Sequence, residues 1–596
     1  MFARKRVDVF IHLPMLLLFS LGVFANAHAL SLTEEDYELK LLGKFVFFDN
    51  ISSPKVQSCS SCHAPRTGGT GNSSVVNQTQ VAINGANPHT VGSLKPPTNT
   101  YATLIAPFKL NPTPRRGART NDTCPGPGGF CGGNFWNGRA IGFGGDQQMN
   151  KTTGVTTSTH IITDVVIPDG LLERYSQYLG PTADQAMNPF PNDVEQNVPV
   201  SEDEELGNGL RGAEAVCRHV KKSKYGIMYN LAWGEPIDCS TEGSPRAVDI
   251  SFQRIALALS AYQGSSELNS FSSKRDWALR AELACLEGRH GEFGKYYSSK
   301  ICNQKDPENW GKFPLVGFSD EENWGHDLFY GMTSELNPEG KNAQCTECHV
   351  TNKEVGIHTG SFDGDGNEFI IADGTDPFER YTDDSYHSIG TPRNPEITNP
   401  ECPAGSTTDS CRAGLGGHIW QDGNRGPLSV GNRKVPTLRN VDKRPYPGFV
   451  KAYGANGWFK SLESIIHFYN TATVDFNCVI VPGVEDCTDV RDTNIPGSVT
   501  EVAYEELTAS TFGVTRCEDR EEGWTEAQAL AANCWPRPEF AAGPGAFVGN
   551  LGLNAEEEAA LVAYMKTFTD RVTARPPQAY ELFLAKMKNR AMQRHR

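Results

Sequence analysis

Two short stretches, Cys59-Ser60-Ser61-Cys62-His63 and Cys345-Thr346-Glu347-Cys348-His349, each spell C-x-x-C-H. Two thiols three positions apart can each form a thioether to one edge of a porphyrin, while the next imidazole turns beneath the ring to bind its iron. A bare C-x-x-C would equally serve a thioredoxin-like redox pair or half a zinc site. No second C-x-x-C or H-x-x-x-H lies near either motif to complete four zinc ligands, and the histidine falls at the same place twice. The pattern therefore predicts two covalently bound c-type haems, attached at Cys59 and Cys62 and at Cys345 and Cys348, with His63 and His349 as iron ligands.

The elements that must position these motifs are amphipathic. Glu34 to Asp49 precedes the first motif and Glu321 to Tyr330 the second, so two similar units are expected. A third periodic segment, Ala555 to Thr569, has acids in its first turn and apolar residues at helical spacing, as a C-terminal packing helix should. Gly-, Pro-, Asn- and Thr-rich stretches such as Thr67 to Pro97 and Pro400 to Arg433 read as loops or insertions.

The N-terminus carries Arg4-Lys5-Arg6, an apolar run from Leu13 to Phe24, and Ala27-His28-Ala29, the three parts of a secretory signal peptide over residues 1–29. The run is short of the ~20 residues that span a bilayer, and no later segment is apolar enough, so no transmembrane anchor is expected in the mature chain. Export suits covalent haem and oxidised cysteines, and periplasmic location follows. Four of the 16 cysteines lie in the motifs. The rest fall into neighbours: Cys124 with Cys131, Cys217 with Cys239, Cys285 with Cys302, Cys402 with Cys411, Cys478 with Cys487, and Cys517 with Cys534. Such short loops stabilise by about 2 to 4 kcal/mol each.

The chain has 596 residues, 59 Gly, 37 Pro and 38% hydrophobic content, enough for two or three cores in a loop-rich protein. Its net charge of −16 argues against nucleic acid and suits partners that dock through basic groups. After Pro576-Pro577 the sign inverts: Lys586, Lys588, Arg590, Arg594 and Arg596 read as a solvated basic tail.

Ordered motifs surround the two attachment sites. They are LLGKFVFFD before Cys59, Asn134-Phe135-Trp136-Asn137-Gly138-Arg139-Ala140, Asp184-Gln185-Ala186 with Asn192-Asp193-Val194-Glu195, Tyr386-His387-Ser388-Ile389-Gly390, Lys434 to Asn440 (KVPTLRN) and Lys460 to Asn470 (KSLESIIHFYN). In this order they resemble the bacterial di-haem cytochrome c peroxidases and their relative MauG, over most of residues 34–570. The resemblance implies a mainly α fold of two cytochrome c-like haem domains with long loops and insertions. These are an N-terminal peroxidatic domain at 30–316 and a C-terminal electron-relay domain at 317–575, followed by the tail at 576–596. It implies that His63 serves the peroxide-cleaving haem and His349 the relay haem. Glu195 and Gln185 match the family's catalytic carboxylate and orienting amide, and Trp136 matches the tryptophan between the haems. Peroxide cleavage needs a proton moved from one oxygen to the other, which is work for a carboxylate.

The sixth ligand of the second haem divides the family: methionine in the usual peroxidases, tyrosine in MauG. This chain has no methionine between His349 and Met565, and Tyr469 stands at the matching position, with His467 as a competitor. A phenolate favours ferric iron and lowers the potential. His89 is a candidate distal ligand that leaves on activation, weighed against an ordinary loop histidine. Two departures stand out. Ala455-Asn456-Gly457 lacks the histidine that many relatives carry before Asn-Gly. Leu94-Lys95-Pro96-Pro97 replaces the calcium loop Arg-Asn-Thr-Pro, putting a lysine where a ligand is expected and leaving calcium open. The insertions between Trp136 and Gln185 and between Glu195 and Cys345 exceed what the family core needs and read as a lid, a docking surface or a subdomain.

Three functions compete on these grounds. The first is a periplasmic peroxidase that reduces hydrogen peroxide with electrons from a small donor cytochrome. The second is a MauG-like oxidase or oxygenase acting on a protein or organic substrate. The third is an electron-transfer cytochrome without catalysis.

Overall fold

The computed structural model describes residues 36–110, 130–146, 166–206, 210–286, 288, 301–350, 378–401, 413–415, 430–472, 514–517, 523–536, 538–540, 548–549 and 551–594. The signal-peptide expectation, the pairs Cys402–Cys411 and Cys478–Cys487, and Cys124 lie outside them.

Helix α1 (Tyr37–Phe48) forms where Leu39, Leu42 and Val46 recur at helical spacing, and all three are buried. It leads into α2 (Cys59–Cys62), a single turn capped by Ser58 and Ser61, which holds the first attachment motif. Helix α3 (Pro181–Met187) carries Gln185, and α4 (Ala213–Lys222) and α5 (Ile227–Trp233) follow. Helix α6 (Ala247–Gln263) is the long helix of the first unit and packs against α1 and α3. Helix α7 (Lys274–Leu286) leads to α8 (Asp320–Tyr330), which starts on a Ser319–Glu322 capping box. Helix α9 (Leu462–Thr471) and α10 (Ala555–Lys566) complete the second unit, and α11 (Ala579–Arg594) ends the chain.

The two units are built around the same crossing. A Cβ at Gly43 of α1 would lie 1.8 Å from the carbonyl oxygen of Ala258 and 2.9 Å from Cβ of Tyr262 on α6. A Cβ at Gly325 of α8 would lie 2.0 Å from the oxygen of Ala560 and 2.8 Å from Cβ of Tyr564 on α10. Only glycine lets the two backbones approach so closely, and the Gly, Ala, Tyr set recurs in both halves. Each crossing anchors its own apolar core, one running from Leu39 to Leu268 and joined by Ala574 and Ala585, the other from Ala278 to Phe568. The second core takes Ala278 and Leu279 from α7, upstream of residue 317.

Strands are few and short. Strand β1 (Lys109–Leu110) pairs with β2 (Phe130–Cys131), and β3 (Tyr386–His387) with β4 (Arg433–Lys434), both antiparallel. A third pair, Thr515–Arg516 with Cys534–Trp535, is parallel. The fold is mainly helical, as expected.

Disulfides join Cys217 to Cys239, Cys285 to Cys302 and Cys517 to Cys534, three of the neighbour pairs, and Cys131 is also oxidised. The four motif cysteines remain free thiols.

Two expectations are corrected. Residues 213–263 of the stretch between Glu195 and Cys345 form no lid or separate subdomain: α4, α5 and α6 belong to the first core, and α6 buries nearly every side chain. The end of the chain is not a solvated tail. Helix α11 packs on α5 through buried Ala585, and Glu581 pairs with the buried Lys44 of α1 at 3.1 Å, so an acid and a small residue just before the basic run dock it. Among the described residues no helix is long and apolar enough to cross a membrane.

Candidate haem sites

Both motif histidines are held in the same way. His63 Nδ1 donates to the carbonyl of Gly69 at 3.0 Å, and His349 Nδ1 to that of Tyr381 at 3.0 Å. This fixes the hydrogen on Nδ1 and leaves the Nε2 lone pair for iron. The carbonyls of Pro97 and Pro436 also face the two rings. Burial holds His63 below the usual imidazole range and lowers His349 to about 4, so both are neutral, as an iron ligand must be. Burial pushes Cys59, Cys62 and Cys345 up to about 12.

Glu195 sits on the loop after α3, close enough to the first motif for its charge to push the Cys59 and Cys62 thiols further up. Its Oε2 accepts from Asn192 Nδ2 at 2.9 Å, and its backbone oxygen accepts from Ala86 N at 2.6 Å, which ties the loop to the segment carrying His89. Burial raises the Glu195 carboxyl above the usual range, against the charge of Arg139, whose guanidinium stacks 3.8 Å from the centre of the Phe135 ring. Gln196 Nε2 meets Cys59 Sγ at 3.7 Å. Gln185 lies half-buried on α3, and among the described residues no hydrogen bond links its amide to Glu195. His89 is exposed.

A cavity of about 1810 Å³, counting its open mouth, is lined by Cys345, Cys348 and His349 of the second motif. Leu462, Ile465, Ile466 and Tyr469 of α9 line it at helical spacing. His467 falls on another face, where its Nδ1 meets Glu558 at 3.0 Å. Tyr469 therefore shares the cavity with His349, and burial raises its phenol above the usual range. Met565 of α10 lines the same cavity, which sequence reasoning missed because it sought methionine only before α10.

Trp136 connects the two halves. Its indole N–H donates to the carbonyl of Lys95 at 2.8 Å, and its own carbonyl accepts from Lys434 N at 2.9 Å. Lys95 Nζ lies 5.6 Å from the centre of the ring. The clamp comes from a repeat that sequence reasoning also missed: Lys95-Pro96-Pro97-Thr98 and Lys434-Val435-Pro436-Thr437 are both K-x-P-T, one beside each motif histidine. Burial lowers both lysines to about 8. Among the described residues no group of three or more His, Cys, Asp or Glu gathers to hold a metal ion.

Free paired thiols and an unprotonated Nε2 at each motif, with a large cavity of few acids at the second, suit haem. A haem protein with two such centres is the class this defines. Residues 38–283 match the family model of di-haem cytochrome c peroxidase. Over that segment, less than half of the chain, it is similar to this family, which implies an oxidoreductase with haem cofactors that acts on peroxide and exchanges electrons with a partner. It is similar to the crystal structure of the diheme peroxidase BthA from Burkholderia thailandensis, at 19% identity and TM-score 0.49, covering 92% of this chain and 89% of that one. A MauG-like protein associated with microbial copper homeostasis is similar at 16% identity and TM-score 0.41, covering 91% and 93%. No curated protein matches the sequence.

Proposed function

We propose that the protein is a periplasmic di-haem peroxidase that carries both haems covalently, reduces hydrogen peroxide at the first and receives electrons through the second from a small donor cytochrome. One peroxide, two protons and two electrons give two waters. Glu195 carries this reading: a carboxyl raised by burial, held by Asn192 and set beside the first attachment motif, is poised to move a proton. The haem iron, when bound, supplies the site for peroxide and the electrons that break its O–O bond. Glu195 takes the proton from one peroxide oxygen and returns it to the departing one. Gln185 orients the peroxide, and Arg139 keeps a positive charge beside the anionic carboxylate. Trp136, bonded to a K-x-P-T segment on each side, relays electrons between the halves. Residues 1–29 are the export signal. Mixing the ferric protein with one equivalent of peroxide tests this: a prompt change at a high-spin haem is expected, and two low-spin, peroxide-inert haems would exclude catalysis.

A second reading, a MauG-like oxidant acting on a protein or organic substrate, is favoured by Tyr469. It lines the cavity with His349, whereas His467 is engaged by Glu558. Iron coordination offsets the cost of ionising the buried phenol, and the resulting phenolate would make the second haem a poor electron store. Tyr469→Phe is expected to change the spectrum of the second haem and raise its potential while both haems stay attached. An unchanged spectrum removes Tyr469 as a ligand.

A further inference from the structure

His387 and Arg433 stand directly opposite each other across the β3–β4 pair. Opposed residues of an antiparallel pair project from the same face, and both side chains line the second cavity. His387 is 8% exposed, and its Nδ1 has no hydrogen-bond partner. Arg433 Nη1 is likewise buried without one. A buried polar atom left unpaired is costly, so two from opposed residues on one cavity wall mark a ligand position.

The far side of each residue is fixed. Arg433 Nη2 pairs with Glu401, and the guanidinium lies 5.9 Å from the centre of the Phe540 ring. His387 Nε2 meets Ser385 Oγ at 2.9 Å, and Ser385 Oγ lies 2.7 Å from Asp383 Oδ1. The wall is lopsided in charge: Lys95, Arg433, Lys434, Arg439 and Lys451 line it against Glu539 alone among the described residues. In a chain of net charge −16 this is a local inversion.

We propose that His387 and Arg433 form a two-pronged carboxylate site in this cavity and that a propionate of the second haem occupies it. The site rests on the reading that the Cys345–His349 motif carries haem. Arg433 supplies the charged prong and His387 a neutral N–H. Burial pushes the Asp383 carboxyl up to about 7. With Asp383 protonated, hydrogens pass in line from Asp383 to Ser385 and from Ser385 to Nε2, which leaves the ring hydrogen on Nδ1, facing the cavity.

Resonance Raman spectra and redox titrations of the holoprotein test the proposal in Arg433→Gln and His387→Ala, with Arg433→Lys as the conservative variant. Both truncations should move the propionate bending band of the second haem and leave the first haem unchanged. Arg433→Gln should also lower the second haem's midpoint potential, because a cation near the iron is lost, and Arg433→Lys should restore part of that shift. An unmoved band and potential in both truncations would overturn the site. A saturable response of the wild-type spectrum to added acetate, lost in the variants, would show a free carboxylate there and overturn the propionate assignment. A haem count of one overturns the two-haem reading, and the site with it. A count of two with an unmoved band overturns the site alone.

Discussion

Replacing Glu195 by Gln is expected to slow peroxide cleavage by about 10²- to 10⁴-fold, the usual worth of one positioned acid–base group, with both haems still attached. Glutamine keeps the size and the polar contact with Asn192 but cannot accept and return a proton. The loss should fall on the rate constant for cleavage in stopped-flow mixing rather than on haem content. Acidity gives a second signature. Burial raises the Glu195 carboxyl above the ordinary range, against the charge of Arg139. The proton-accepting form is therefore lost as pH falls through that raised value, and the rate should decline on the acid side sooner than for an exposed carboxylate. The variant should lack that decline. A full cleavage rate in Glu195→Gln would remove the shuttle from this residue.

Asp276→Ala is expected to destabilise the protein by about 3 to 5 kcal/mol, the cost of leaving a buried charge without its partner. Asp276 on α7 is fully buried. Its Oδ2 lies 2.6 Å from Arg439 Nη1 and accepts from Ser273 N and Oγ, and Arg275 Nη1 lies 3.6 Å from its Oδ1. Burial alone would push the carboxyl up, but the Arg439 and Arg275 guanidiniums and the hydrogen bonds from Arg439 and Ser273 outweigh it and hold it below the usual range. The contribution of Asp276 is therefore present at neutral pH, above its unfolded value, and is lost as pH falls through the depressed folded value. Arg439 also donates through Nε to the carbonyl of Glu379 at 2.6 Å, so the loss reaches the loop that holds His349 through Tyr381. Urea unfolding at two pH values reads the effect. A wild-type midpoint in the variant would contradict it. Asp276→Ala with Arg439→Met should recover part of the stability, because the orphaned guanidinium is gone.

Legibility in the sequence followed the physical signal each element carries. The two C-x-x-C-H motifs are local chemistry, each written in five consecutive residues. Helices α1, α8 and α10 have one apolar face each, and the structure ends them within a few residues of where the spacing predicts. Cysteines that neighbour each other in sequence form three of the observed disulfides. Helix α6 was hidden for the opposite reason: Ala247 to Gln263 is buried on almost every side, so it shows no polar–apolar period and was read as part of an insertion. Helix α11 was obscured because its basic residues outnumber Glu581 and Ala585, the two positions that dock it. The Trp136 clamp is written as a K-x-P-T repeat, but its first copy, Lys95 to Thr98, also overlaps the position of the calcium loop and so carries two readings. The pairing of His387 with Arg433 depends on register between strands 46 positions apart, which no local pattern encodes.

The two units are alike in their Gly–Ala–Tyr crossing and unlike in what lies near each motif, Glu195 at the first and Tyr469 at the second. Mixing the holoprotein with limiting peroxide and an excess of a reduced small c-type cytochrome, while following cytochrome oxidation in real time, addresses that division of labour. One peroxide should be consumed for each pair of cytochromes oxidised, and Glu195→Gln should abolish the fast phase. A holoprotein whose haems leave peroxide intact, or whose Glu195→Gln variant oxidises cytochrome at the wild-type rate, would contradict it.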